Sequence, residues 1–135
     1  MERPRVLLVE DNRVLRWWMR SGLEEAGFDV VSTASADEAQ WLSACFEFDV
    51  LVTDWHLPGE KDGFDVMEHL RAKHPNLLTV LVSAQADSDL AQRAWDAGFN
   101  VVLQKPLRLP EVIGAIYCMI GERGTRGVEV NHEAA

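Results

Sequence analysis

Five polar side chains in this sequence each close a short apolar run. Glu10 and Asp11 follow Val6-Leu7-Leu8-Val9, Asp54 follows Asp49-Val50-Leu51-Val52-Thr53, and Ser83 follows Leu77-Leu78-Thr79-Val80-Leu81-Val82. Lys105 follows Val101-Val102-Leu103 after one intervening residue. Taken singly, each is ordinary. An acidic pair after a strand caps a helix, a lone Asp forms a turn, and a lone lysine is a solvated charge. Gathered together they form three carboxylates, a hydroxyl and an ammonium. Three adjacent carboxylates repel and call for a counter-cation. Hard oxygen ligands suit Mg²⁺, which keeps waters and shares phosphate oxygens. A carboxylate can also attack phosphorus to give an aspartyl phosphate. The hydroxyl and the ammonium would then hold the phosphoryl oxygens, in a reaction governed by positioning and charge neutralisation.

The elements between these residues explain how they would meet. The apolar runs lack strict alternation, as expected of parallel strands buried on both faces. Phe28-Asp29-Val30-Val31 is a weaker strand and is followed by Ser32-Thr33, which lacks comparable chemistry. Amphipathic segments alternate with the strands over 12–26, 35–46, 64–73, 87–97 and 110–120. In the first, Val14, Leu15, Trp18, Met19 and Leu23 make an apolar stripe, and Gly27 is a stop signal. Ser35 with Glu38 is a capping-box pair, and Pro110 suits a first helical turn. Five strand–helix repeats predict an α/β fold with a parallel sheet and helices on both faces. Ligands in such sheets sit beyond the carboxyl ends of the strands, where the five polar residues fall.

Length and charge narrow the function. The 135 residues make about one domain. A net charge of −9 disfavours nucleic acid and anionic membrane as direct partners. Neither a signal-peptide core nor a membrane-length apolar stretch is present in the sequence. Cys45 and Cys118 stand apart in apolar surroundings, which predicts buried, reduced thiols in a cytoplasmic protein rather than a zinc site. Residues 122–135 read as a flexible tail after a domain over 1–121.

Val9-Glu10-Asp11-Asn12, Asp54-Trp55-His56-Leu57-Pro58, Ser83-Ala84 and Lys105-Pro106 resemble the response-regulator receiver domain of two-component signalling, in order and spacing, over roughly residues 4–121. The resemblance implies a flavodoxin-like, doubly wound five-stranded sheet of order 2-1-3-4-5 in a three-layer αβα arrangement. By the same resemblance, Asp54 is the phosphoacceptor. Asp11, Asp54 and the backbone carbonyl of His56 bind Mg²⁺, and Glu10 reaches the metal through water. Ser83 is the switch hydroxyl and Lys105 pairs with the phosphate across a cis Lys105–Pro106 bond. Ala84, Gln85 and His56 flank the phosphoryl group. The donor is a sensor histidine kinase or a phosphotransfer protein, and the output is protein–protein contact, with homodimerisation possible. The chain is then a switch rather than a turnover enzyme.

Departures from the pattern carry their own expectations. The switch aromatic falls on Val102, so no ring is available to rotate when Ser83 moves. The loop Pro58–Gly63 is one residue longer than the common pattern, which is read as a harmless insertion. Trp17 is expected to be more exposed than Trp18 and to be a candidate contact residue for a phosphoryl donor. Trp41 is expected in the core, and Trp55 should point away from Asp54. Three other readings stand beside the switch. One is the receiver portion of a longer regulator. Another is a phosphate-independent interaction module, which the complete site argues against and Val102 keeps open. The third is an aspartyl-phosphate phosphohydrolase, which His56 disfavours because such enzymes place a second Asp there.

Overall fold

The computed structural model describes residues 3–124. Five strands, β1 (Arg5–Val9), β2 (Asp29–Thr33), β3 (Val50–Asp54), β4 (Leu78–Ser83) and β5 (Val101–Gln104), alternate with five helices. The helices are α1 (Arg13–Glu25), α2 (Ala36–Cys45), α3 (Gly63–Lys73), α4 (Ser88–Ala97) and α5 (Leu109–Gly124). The strands form one sheet of order β2-β1-β3-β4-β5, and every pairing is parallel. The doubly wound order that the family resemblance implied is therefore present. Most of the proposed tail, from residue 125 on, lies outside the described residues, and α5 continues four residues past the expected Ile120.

Alternate residues of each strand feed two cores. Leu7, Val9, Leu51 and Leu81 pack with α2, α3 and α4, whereas Val6, Leu8, Val52 and Val80 pack with α1 and α5. All five residues of β3 are buried, as its central place requires. That burial on both faces is why its sequence shows no polar alternation. The strand ends are tied in register: Glu10 N donates to Thr33 O at 3.0 Å and Lys105 N donates to Ser83 O at 2.9 Å. These bonds hold the site residues level along one sheet edge.

Caps fix the helix starts. Asn12, Ser35, Asp62 and Asp87 accept from backbone amides at the starts of α1 to α4. The expected box at Ser35 is half formed. Glu38 N donates to Ser35 Oγ at 3.2 Å, but the Glu38 carboxylate turns to the Thr33 hydroxyl, which takes Ser35 N at 3.4 Å. A complete box forms instead on α3, between Asp62 and Asp65.

Several expectations about side chains are corrected. Trp41 is not core: it is 63% exposed. The inward positions of α2 are held by Ala36, Ala39, Leu42 and Ser43, and the helical period turns Trp41 off that face. Both cysteines are exposed for the same reason, lying on outward turns of α2 and α5. On α1 only Met19 and Leu23 of the expected stripe are buried, and Val14 is solvent-facing. Trp17, at 68% exposure against 37% for Trp18, is the more exposed of the pair as expected.

The end of the sheet opposite the site is clasped by Arg71 of α3. Its Nη1 donates to Gly98 O at 2.9 Å, and its Nη2 donates to Leu77 O at 2.9 Å and Thr79 Oγ1 at 3.0 Å. One guanidinium thus joins α3, β4 and the C-cap of α4. Arg71→Met keeps the stem but strips these bonds, and should lower stability in urea unfolding by about 2 kcal/mol, since two of the acceptor residues it leaves, Leu77 and Thr79, are buried.

Candidate functional site

Glu10, Asp11, Asp54, Ser83 and Lys105 converge at the carboxyl edge of the sheet. β1, an interior strand, delivers Glu10 and Asp11; its neighbour β3, at the centre of the sheet, delivers Asp54; β4 delivers Ser83, and the turn after β5 brings Lys105 back across. Glu10 and Asp54 are 2% and 5% exposed, whereas Asp11 is exposed. Carboxylate oxygens from all three lie within 4.8 Å of one another.

Each group is held by its local chain. Asn12 N donates to Glu10 Oε2 at 2.9 Å, and Arg16 Nη1 donates to Glu10 O at 2.8 Å. These bonds fold the β1–α1 turn around the acidic pair. The Asp54 carbonyl accepts from Thr53 Oγ1 at 2.9 Å. Trp55 N donates to Val82 O at 2.9 Å, and Trp55 O accepts from Gly63 N at 2.8 Å, so the turn after Asp54 is anchored to β4 and α3. Gly63 approaches so closely that a Cβ there would stand 2.2 Å from Asp54 O. Ser83 is buried and its Oγ accepts from Gln85 N at 2.9 Å. The Lys105–Pro106 peptide is cis, as the family resemblance implied.

The charges are unbalanced. Lys105 Nζ lies 2.8 Å from Asp54 Oδ1 and 3.2 Å from Glu10 Oε1. One ammonium therefore faces two buried carboxylates, with the third carboxylate close by. Asp54 Oδ1 is buried without a partner in hydrogen-bond geometry, despite its ion-pair distance to Lys105. Burial pushes the Asp54 carboxyl up to about 7, and Glu10 adds to the rise while Lys105 resists it. For Lys105, burial opposes the charge, but Asp54 and Glu10 outweigh it and hold the ammonium above its usual range. The donor set fits a divalent hard cation: carboxylate oxygens, a shortage of positive charge and an open Asp11 side.

The family model for the response regulator receiver domain matches residues 6–117. This chain belongs to that family. A receiver is therefore the frame in which the acidic edge, the serine and the lysine are read. Among curated proteins, the DNA-binding transcriptional regulator NtrC of Salmonella typhimurium is 28% identical over 135 residues, covering 97% of this chain but 29% of that protein. The alginate biosynthesis regulator AlgB of Pseudomonas aeruginosa is 35% identical over 102 residues, covering 76% of this chain and 22% of its own length. This receiver thus spans under a third of either regulator. Among solved structures, a CheY-like receiver from Methanospirillum hungatei superposes with a TM-score of 0.85 at 21% identity, covering 93% of this chain and 99% of the other. The non-phosphorylated HemR receiver of Leptospira biflexa gives 0.79 at 30% identity, covering 87% and 94%.

Not every residue singled out by sequence stands among the converging side chains. His56 is exposed and its ring stacks on Trp55, with centroids 4.2 Å apart and planes 23° apart. Trp55 itself packs with the α2–α4 core, away from the carboxylates as expected. Ala84 and Gln85 are exposed in the β4–α4 loop, and Val102 is half-buried beside the same core. Sequence reasoning missed the contact role of Gly63, for which only its Asp-Gly context was a signal. It also missed Arg16, which looks like any other helix-face charge. Among the described residues, no helix is long and apolar enough to cross a membrane.

Proposed function

We propose that this receiver is a phosphorylation switch with Asp54 as its acceptor. A buried, under-neutralised Asp54 carboxylate, 2.8 Å from Lys105 and level with Glu10, Asp11 and Ser83, carries the reading. One oxygen of Asp54 forms a bond to phosphorus as the donor's N–P bond breaks, and the donor's histidine nitrogen keeps that electron pair. Lys105 pairs with a phosphoryl oxygen, and the Ser83 hydroxyl, still accepting from Gln85 N, donates to another. Ala84, Gln85 and His56 border the product and tune attack by water, which returns Asp54 to the carboxylate and releases phosphate. Asp11, Asp54, the His56 carbonyl and, through water, Glu10 would hold Mg²⁺, which would supply charge neutralisation for the transferring group. Asp54 must be ionised to attack, and a nearby divalent charge draws its raised pKa down.

The phosphoryl donor is a sensor histidine kinase or a phosphotransfer protein, with which the receiver shares the cytoplasm. The phosphorylated state signals by protein contact through α4, β5 and α5, as a monomer or a homodimer, and not by direct nucleic-acid or membrane contact. The protein is a switch and not a turnover enzyme. The length of its relatives favours a second reading of the context, in which this receiver governs an output domain on the same chain. Incubation with Mg²⁺ and acetyl phosphate tests the acceptor. Mass spectrometry should show one labile phosphoryl adduct, lost in Asp54→Asn. An adduct that persists in that variant, or none on the wild type, sinks the proposal. Sustained turnover of a small phosphomonoester would instead support a phosphohydrolase.

A further inference from the structure

Receivers ordinarily couple the switch hydroxyl to the output face through a ring on the fifth strand, and here that position is Val102. Rings gather instead on the α3–α4 side of the acceptor. Trp55 and Phe64 meet edge-on at 6.3 Å, and Phe64 meets Phe99 edge-on at 5.5 Å. Arg93 of α4 lays its guanidinium over two of these rings, 5.4 Å from the Trp55 centroid and 5.0 Å from that of Phe64. Both distances are within cation–π range, and a planar, weakly hydrated guanidinium suits such stacking.

The two sides of this contact are unequally anchored. Trp55 is fixed to the sheet by its backbone bonds to Val82 and Gly63. Helix α4 buries only Leu90 and Ala94. Its N-cap, Asp87, follows Ser83 by a loop that is folded back on the Ser83 hydroxyl through Gln85 N. Any movement of Ser83 toward Asp54 therefore pulls on the start of α4, and Arg93 opposes it from the second turn. Trp95, two residues on and 70% exposed, is carried by the same helix on a different face.

We propose that Arg93 is a positioning residue that latches α4 to the Trp55 and Phe64 rings in the unphosphorylated state, and that phosphorylation releases the latch and re-presents Trp95. This rests on Asp54 being the acceptor. The latch does the coupling that Val102 cannot. Because coupling is reciprocal, a contact that favours the resting state weakens binding of a phosphoryl mimic.

The test is calorimetric titration of the intact protein with beryllofluoride in the presence of Mg²⁺. Arg93→Ala should tighten binding about threefold, the size of an exposed cation–π contact. Arg93→Lys, which keeps the cation, should stay nearer the wild type. Trp55→Leu, which leaves Phe64 under the guanidinium, should tighten binding by less than Arg93→Ala, and the double variant should add nothing beyond Arg93→Ala. Amide exchange over 88–97 should rise in Arg93→Ala without global loss of protection. Unchanged affinity in Arg93→Ala, or additive effects of the two substitutions, overturns the latch while leaving the phosphoacceptor reading intact. No Mg²⁺-dependent binding to the wild type overturns both.

Discussion

Gly63→Ala is expected to destabilise the protein by about 3 kcal/mol and to cut phosphorylation of Asp54 sharply, the upper range for overpacking a buried position. The new Cβ would stand 2.2 Å from Asp54 O, 3.1 Å from Asp54 C and 3.3 Å from Leu81 Cδ1. The nearest obstacles are backbone atoms, so no rotamer change relieves the clash. Asp54 is paired in register with Val82 and its carbonyl is held by Thr53 Oγ1. Relief must come from moving the start of α3 or displacing Asp54. The first breaks the Gly63–Trp55 bond at 2.8 Å, and the second moves the nucleophile. Gly59 is the control. It has φ of +93° but nothing within 4 Å of an added Cβ, so Gly59→Ala pays only backbone strain, about 1 kcal/mol. Urea unfolding and acetyl-phosphate labelling check both variants. If Gly63→Ala unfolds within 1 kcal/mol of the wild type (~0.1 kcal/mol per residue being total stability), the close approach does not hold the turn.

The contrast between these two glycines shows how far sequence reached. Glu10, Asp11, Asp54, Ser83 and Lys105 were legible because each ends an apolar run, and run ends in a parallel sheet share one edge. The fold was legible for the same reason: runs apolar on both faces, separated by helical periods, admit few topologies. What sequence did not carry is distance between elements. Gly63 looks like a turn glycine, and only the packing of α3 against β3 makes it a contact. Trp41 and Cys45 look like core because their types are usually buried. Yet α2 fills its inward positions with Ala36, Ala39 and Leu42, and has no room for them. Arg93 reads as a helix-surface charge until Trp55 and Phe64 are placed beneath it. The split between Asp11, exposed, and its neighbour Glu10, 2% exposed, is likewise a product of the β1–α1 turn.

Without metal, the wild type should lose stability as pH rises from about 4 to about 7, relative to Asp54→Asn. The Asp54 carboxyl titrates at about 7 in the fold against 3.8 as a free side chain, because burial and Glu10 disfavour its charge. Between those values the folded state binds more protons than the unfolded state, so unfolding free energy falls with rising pH. The sense is opposite to that of a salt-bridged surface carboxylate, whose folded pKa is depressed. Lys105 does not interfere, since its raised pKa places its titration above this window. At pH 8 Asp54→Asn should therefore be the more stable by at least about 1 kcal/mol, with the gap closing toward pH 4. Saturating Mg²⁺ should reverse the order. The cation neutralises Glu10, Asp11 and Asp54 together in the wild type, and binding to the folded state alone adds about 2.7 kcal/mol at a hundredfold excess over Kd. Thermal unfolding of both proteins from pH 4 to 8, with EDTA and then with Mg²⁺, gives four curves. A wild type that matches Asp54→Asn at every pH in EDTA would mean that Lys105 alone compensates the buried charge.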